Sequence, residues 1–420
     1  MRQPDYARRV VVTGLGVISP VGNDKRTAWD NLVNGRTGIG LITRFDPSPY
    51  TGKAGGEVKD FDPSAWLDAK TVRRTGRELQ MGVAAAKLAV ADAGLEIDDT
   101  NRTEVGVVFG SGSGGQGLMN EQLLVLRDKG PDRVSPTFIA NSLVDSTSGM
   151  IAIETGAIGH NICVVTACST GTSCVGEAAE AIRRGDCIAI IAGSTENSLL
   201  EIGHAGFSNM RGVGTPRPGM PIADVSRPFD RTRNGFILGE GAGALVLEDL
   251  EIAKARGARI YAEVVGYGSA ADGWDMIQPI EGGVGAARSM TMALERRGVP
   301  ADEVDVINPH GTSTPVGDKR ESDAILTAFG DHGRRIAISA TKSMTGHMMG
   351  AAGSFEAFAS VMSVAEQCVP ATLNYLEPDP EVPLNVVTET RSTPVRYAMS
   401  NNIGLGGHNA AVIFRRYDGD

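Results

Sequence analysis

Residues 163–173 read CVVTACSTGTS. A β-branched run ends at Cys168, and small polar residues then open a helical pattern. Over 173–184 that pattern places Val175, Ala178, Ala179 and Ile182 on one face, with Gly185 as a C-terminal cap. A thiol at such a joint feels the positive end of the peptide dipoles, which favours thiolate. The free N–H groups of the first turn can also hold a developing oxyanion. Strand, reactive joint and helix in this order point to an α/β fold with buried sheets.

The grammar repeats outward from this stretch. Strand-like runs fall at 10–12, 105–109, 163–166, 187–192, 244–247, 260–265, 304–308, 336–339, 395–399 and 411–414. Further helices are read at 80–93 and 353–365, from apolar residues three and four apart. Segments 40–75, 111–145 and 205–240 read as irregular. An internal duplication is visible. VGVVFGSGSGG, CVVTACSTG and IAIIAG in one half answer to VDVINPHGTST and IAISATKSMTGH in the other. Two β/α halves, 1–258 with cap insertions and 259–420, would bring the reactive loops together.

Composition narrows the class. The 420 residues are 41% hydrophobic and 21% charged, enough for a core without disulfide or metal staples. The net charge of -10 argues against nucleic acid or an anionic membrane as the main partner. The 54 glycines exceed the ~29 expected from average usage and cluster at turns rather than in threes. Five cysteines with no CxxC read as a reduced, cytoplasmic protein. No secretory signal is read before the first strand, and no apolar run reaches the ~18 residues of a membrane span.

Two of the six histidines, His310 and His347, stand at strand-to-loop joints, where α/β proteins place their sites. Lys342 shares the loop of His347, among Thr341, Ser343 and Thr345, which suggests a polar, enclosed setting. A cysteine, two histidines and a lysine suit acyl transfer through a thioester. The GxGxxG-like spacing of Gly110, Gly112 and Gly115 is a weak dinucleotide signal, and no P-loop or metal-ligand spacing is present.

The ordered set VVTGLGVISPVGN, VVTACSTG, SRPFDRTRNGFILGEGAG, PHGTSTPVGDKRE, TKSMTGHMMGAAG and NNIGLGGHN resembles the β-ketoacyl-[acyl carrier protein] synthases, above all the synthase II branch. The ketosynthase subunits of type II polyketide systems are its neighbours. The resemblance spans nearly the whole chain. It implies a thiolase-like fold, two duplicated halves in a five-layered α-β-α-β-α body, and a dimer. It implies that Cys168 takes the acyl chain, and that His310 and His347 decarboxylate malonyl thioester and stabilise the enolate. Lys342 orients the pair electrostatically. Glu321 and Glu356 match supporting carboxylates, and the backbone N–H groups of Cys168 and Leu405 match an oxyanion hole. Thr312 and Thr314 match residues that bind the pantetheine arm, while Ser113, Ile403 and Leu405 face substrate. The implied partner is an acyl carrier protein, which itself carries the phosphopantetheine, so no cofactor or metal is expected. A homodimer is expected, with a heterodimer with a chain-length subunit as the alternative.

The departures fall on the substrate side. The family's aromatic gate is Leu405, its usual pocket-floor isoleucine is Ser113, and its MDRF helix start is Thr75-Gly76-Arg77-Glu78. After Asp272, a segment usually rich in His and Thr reads Gly273-Trp274-Asp275-Met276-Ile277. The expected reaction is a decarboxylative Claisen condensation in fatty acid elongation. The alternative is a ketosynthase of a specialised polyketide or unusual-lipid pathway. An unpaired Ser113 hydroxyl against hydrocarbon would disfavour plain alkyl chains. A non-condensing partner subunit would lack the nucleophile, and a degradative thiolase would need a second cysteine where this chain has His408. For carrier docking, the basic segment 70–77 and Arg127, Lys129 and Arg133 are the candidates.

Overall fold

The computed structural model describes residues 3–419. The first half of the chain supplies β1 (Val10–Ile18), α1 (Arg77–Ala93), β2 (Val105–Gly110), α2 (Gln116–Lys129), β3 (Asn161–Ile162), α3 (Thr170–Arg184), β4 (Ala189–Glu196), α4 (Glu201–Asn209) and β5 (Gly241–Asp249). The second supplies β6 (Ala262–Ala271), α5 (Val284–Glu295), β7 (Val304–Asn308), α6 (Pro315–Phe329), β8 (Ala337–Ile338), α7 (Ala352–Glu366), β9 (Asn385–Val386), β10 (Tyr397–Gly404) and β11 (His408–Arg415).

These strands form one sheet in the order β9-β8-β7-β10-β11-β6-β1-β5-β4-β2-β3. The order repeats outward from the β1–β6 seam. On one side β1, β5 and β4 are antiparallel neighbours, and β4, β2 and β3 are parallel. On the other, β6, β11 and β10 are antiparallel, and β10, β7 and β8 are parallel. The duplication legible in the sequence is therefore a duplication of topology.

Helices fill the layers. Helix α1 packs on β1, β5 and β4; α5 packs on β6 and β11, with α6 beside it. Helices α3 and α7 lie between the half-sheets and touch strands of both. Nearly all of α7 is buried, as a helix covered on every side must be. Strands β1, β4 and β5 are buried along their full length, which explains why their apolar residues are consecutive rather than alternating with polar ones. The result is the five-layered thiolase-like body that the resemblance implies.

Two local expectations are corrected. Residues 163–166 are not a strand; only Asn161 and Ile162 pair with β2. The Thr166 N–H donates to Thr170 Oγ1 at 2.9 Å, and the Thr166 carbonyl accepts from Ser169 N–H at 3.1 Å. The turn ahead of α3 thus uses the polar groups that a ladder would need. Segment 111–145 is not irregular throughout, since it contains α2. No residue of α2 is buried, so its apolar side chains draw no core-facing stripe. Among the described residues all five cysteines are free, and no helix is long and apolar enough to cross a membrane.

Candidate active site

Cys168 occupies the 3₁₀ turn Ala167–Ser169 that leads into α3. Ala167 has φ of 50°, a conformation that costs a side-chain-bearing residue energy and persists where its surroundings enforce it. The enforcing contacts are local. Thr166 Oγ1 meets Ser173 Oγ at 2.9 Å, and Ser169 Oγ donates to the Thr166 carbonyl at 2.8 Å. From the other side, Gly404 at the end of β10 presses on the turn. A Cβ there would stand 2.7 Å from Thr166 O and 3.2 Å from Cys168 N. That approach places the Leu405 N–H against the Cys168 sulfur, beside the N–H of Cys168 itself.

Burial pushes the Cys168 thiol up to about 11, although the Leu405 N–H and the Lys342 charge pull the other way. Desolvation is thus the largest influence on the sulfur, and it opposes the thiolate that a helix terminus favours.

His310 follows β7 on a loop tied down by α6. The helix presents Asp318 and Glu321, three residues apart, on one face. Glu321 accepts from His310 N–H at 2.6 Å, Gly311 N–H at 2.7 Å and Asn401 Nδ2 at 2.7 Å. Asp318 accepts from Ser313 N–H at 3.0 Å and Phe229 N–H at 2.7 Å. Burial pushes Glu321 up to about 7 despite these donors. The backbone of His347 is pinned between neighbours. Its N–H donates to Ile237 O at 2.6 Å and its carbonyl accepts from Gly239 N–H at 2.8 Å.

The two imidazoles stand edge to face, with centroids 5.1 Å apart at 90°. Behind them the Lys342 ammonium is buried against Glu356. The other Glu356 oxygen accepts from Asn402 Nδ2 at 2.8 Å, and that nitrogen lies 3.3 Å from His310 Nδ1. Burial raises Glu356, and the Lys342 charge opposes that rise. An amide nitrogen carries only donors, so His310 Nδ1 is the acceptor and its proton sits on Nε2. Burial first, and then the Lys342 charge, holds both histidines well below their usual range. Both are neutral donors at physiological pH.

Two arms of one cavity meet at Cys168, each of about 400 Å³. Cys168, Phe207, Met210, Met349 and Leu405 border both. The first arm brings together His310, His347, Thr312, Thr314 and Ile403. The second contains Ser113. Lys342, Glu321 and Glu356 stand behind the wall as supports.

Ser113 is corrected on one point. Its hydroxyl donates to Glu196 Oε1 at 2.5 Å and is not left unpaired against a chain. Glu196 also accepts from Ser111 Oγ and from the N–H groups of Gly112, Ser113 and Gly350. The sequence reading missed Glu196, Asn401, Asn402 and Asp318. A carboxylate closing the apolar run of β4 and the paired asparagines of NNIGLGGHN were the available signals.

Models of the β-ketoacyl synthase N-terminal and C-terminal domains match residues 7–253 and 261–376. The 3-oxoacyl-[acyl-carrier-protein] synthase 2 of Synechocystis sp. is 45% identical over 411 residues, 98% of each chain. Among solved structures, a type II polyketide ketosynthase in complex with its acyl carrier protein, bound to the hexaketide, has a TM-score of 0.91 at 31% identity. That likeness covers 99% of this chain and 100% of the other. The ishigamide ketosynthase/chain length factor has a TM-score of 0.89 at 37% identity, covering 98% and 99%.

Proposed function

The chain belongs to the β-ketoacyl synthase family, and from that premise we propose that it condenses an acyl group held on Cys168 with malonyl-[acyl carrier protein] in fatty acid elongation. The observation that carries this reading is a buried thiol and two neutral imidazoles on one cavity, with the Lys342 ammonium held behind them by Glu356.

The first half-reaction moves the acyl group from the carrier's thiol to Cys168, with release of the free carrier thiol. As the Cys168 sulfur attacks, its proton leaves and ends on the departing carrier sulfur. His310 already holds its proton on Nε2 and accepts from Asn402 at Nδ1, so the imidazole of His347 on the same cavity is the carrier for that proton. The tetrahedral oxyanion sits at the N–H groups of Cys168 and Leu405. In the second half, the C–C bond to the malonyl carboxylate breaks, CO2 leaves, and the electron pair passes to the thioester oxygen as an enolate. Imidazole N–H donors stabilise that charge without a full positive charge that could pin the departing carboxylate. The enolate carbon then attacks the acyl thioester, and the Cys168 sulfur leaves as thiolate and takes up a proton from water. Pantetheine arrives on the carrier past Thr312 and Thr314, and we assign no cofactor or metal to the chain itself.

Partner surfaces support the same reading. Lys70, Arg73 and Arg74 are exposed on one short segment and suit an acidic carrier, as do exposed Lys129 and Arg133. Arg77 is withdrawn from that group, since its guanidinium binds Glu240 through two 3.0 Å hydrogen bonds. The sheet ends at β3, whose two residues are exposed, beside exposed Ile139, Leu143, Ile153, Ile158 and Val165. An open edge flanked by apolar side chains is fitted to a second subunit.

Intact-protein mass spectrometry tests the reading. Incubation with an acyl carrier is expected to add one acyl mass to the protein, mapped to Cys168. Malonyl carrier should then remove it as β-ketoacyl product. Acylation at any other cysteine, or no acylation, would overturn the assignment.

A further inference from the structure

The second arm of the cavity is the space that an acyl chain on Cys168 enters, if the reading above holds. Its walls are mostly apolar: Ile202, Phe207, Met210, Met349 and Leu405. Three polar side chains there are already satisfied. Glu196 accepts from five donors, the Ser113 hydroxyl donates to Glu196, and the Ser198 hydroxyl donates to Gly239 O.

Gln116 is different. It stands in the first turn of α2 and lines the same arm. Its side-chain oxygen would lie 4.0 Å from a Cβ built on Gly203 of α4, so the amide stands between the two helices. The Gln116 backbone N–H donates to Gly114 O at 2.9 Å, and the side-chain amide has no partner among the described residues. A primary amide offers two donors and an acceptor. A plain alkyl chain would cover that amide without pairing it, at the cost of its water. A chain with a hydroxyl or ketone oxygen at the depth of Gln116 would satisfy it.

We propose that Gln116 is a specificity-determining residue of the acyl arm: its amide binds a hydroxyl or keto group of the chain, so that oxygenated chains are taken ahead of saturated ones, which narrows the condensing reading to acyl chains that are not fully reduced. Sites built to pair with a substrate oxygen reject the analogue that lacks it, because the protein group is then left unpaired. Selection acts at the acylation step, on the chain rather than on the malonyl arm.

The test uses the full-length enzyme and acyl-pantetheine thioesters of equal length, one saturated and the others carrying a hydroxyl or ketone at successive carbons. The rate of mass gain on Cys168 is read for each. One oxygenated position is expected to acylate roughly tenfold faster than the saturated chain, the effect of about one hydrogen bond. Gln116→Leu should erase that ratio by speeding the saturated chain and slowing the oxygenated one. Gln116→Glu, which keeps acceptors and loses the amide donors, should slow the ketone chain while sparing the hydroxyl chain. Malonyl decarboxylation measures the integrity of each variant independently. A wild type that favours the saturated chain at every position, or a ratio unchanged in Gln116→Leu, overturns the proposal and leaves the condensing reading standing. Failure of every chain to acylate Cys168 overturns both.

Discussion

At the scale of the residue, the site separates two protonation problems. Cys168 is pushed up to about 11 by burial, while His310 and His347 are held well below 6.5 by burial and by Lys342. The raised thiol is protonated at neutral pH, so raising the pH toward 11 increases the thiolate. The lowered imidazoles are already neutral at pH 7 and stay so as pH falls past 6.5. We expect the acylation rate to climb from pH 7 to 10 and malonyl decarboxylation to stay level from pH 9 to 6. Parallel profiles for the two half-reactions would contradict this division. Cys168→Ala should abolish condensation and retain decarboxylation, because the histidines reach malonyl without the sulfur. A folded Cys168→Ala protein that releases no CO2 would refute it. Lys342 and Glu356 form a fully buried pair, so Glu356→Ala strands an ammonium. The expected loss is about 3–5 kcal/mol in denaturant titration, and a loss under 1 kcal/mol would show that water reaches the site.

At the scale of the element, the site depends on how closely α3 approaches α7. A Cβ on Gly171 would stand 2.2 Å from Ser354 N, and one on Gly353 would stand 2.4 Å from Thr172 N. The two helices that deliver Cys168 and back His347 therefore cross at bare backbone. Gly171→Ala gains up to about 1 kcal/mol of helix propensity. It loses more, roughly 1–3 kcal/mol, to overpacking against backbone that cannot rotate away. The clash wins, and the turn of Cys168 moves with α3. We expect a lower denaturation midpoint and a fall in kcat of roughly a hundredfold, the cost of about 1 Å of misplacement. Unchanged kcat would mean that the helices slide without moving the thiol. The helices α1, α3 and α7 were legible because each draws apolar residues to a face or is apolar throughout. Helix α2 was not, because no residue of it is buried.

At the scale of the whole molecule, the proposed function has a protein of net charge -10 receive a carrier whose phosphopantetheine is anionic at its root. Reversal of Lys70, Arg73 and Arg74 to glutamate should raise the KM for the carrier several-fold at low salt, with kcat little changed. The difference should shrink as salt screens it, since rim charges act mainly on encounter. A KM that does not move at low salt would remove this segment from the docking surface. The open end of the sheet leads to a second expectation. Ile158→Asp with Ile162→Asp should lower the sedimentation mass toward one subunit. A dimer that survives both changes would place the interface elsewhere.

The sequence by itself determined the repeated strand-and-helix grammar, the joints where Cys168, His310 and His347 stand, and the family motifs around them. These are local properties, set by apolar periodicity, by turn residues and by reactive side chains at strand ends. Only the tertiary structure decided which neighbours those side chains meet. Burial set a desolvation penalty against the thiolate that the helix-terminal position of Cys168 favours. Glu196, one residue in an apolar strand, met Ser113 across the fold and satisfied the hydroxyl that had looked unpaired. Asn402 reached both Glu356 and His310 and so placed a proton on Nε2. Gln116 faced the acyl arm with its amide free. Desolvation and hydrogen-bond partnership depend on groups far apart in the chain, and neither is written in any window of sequence.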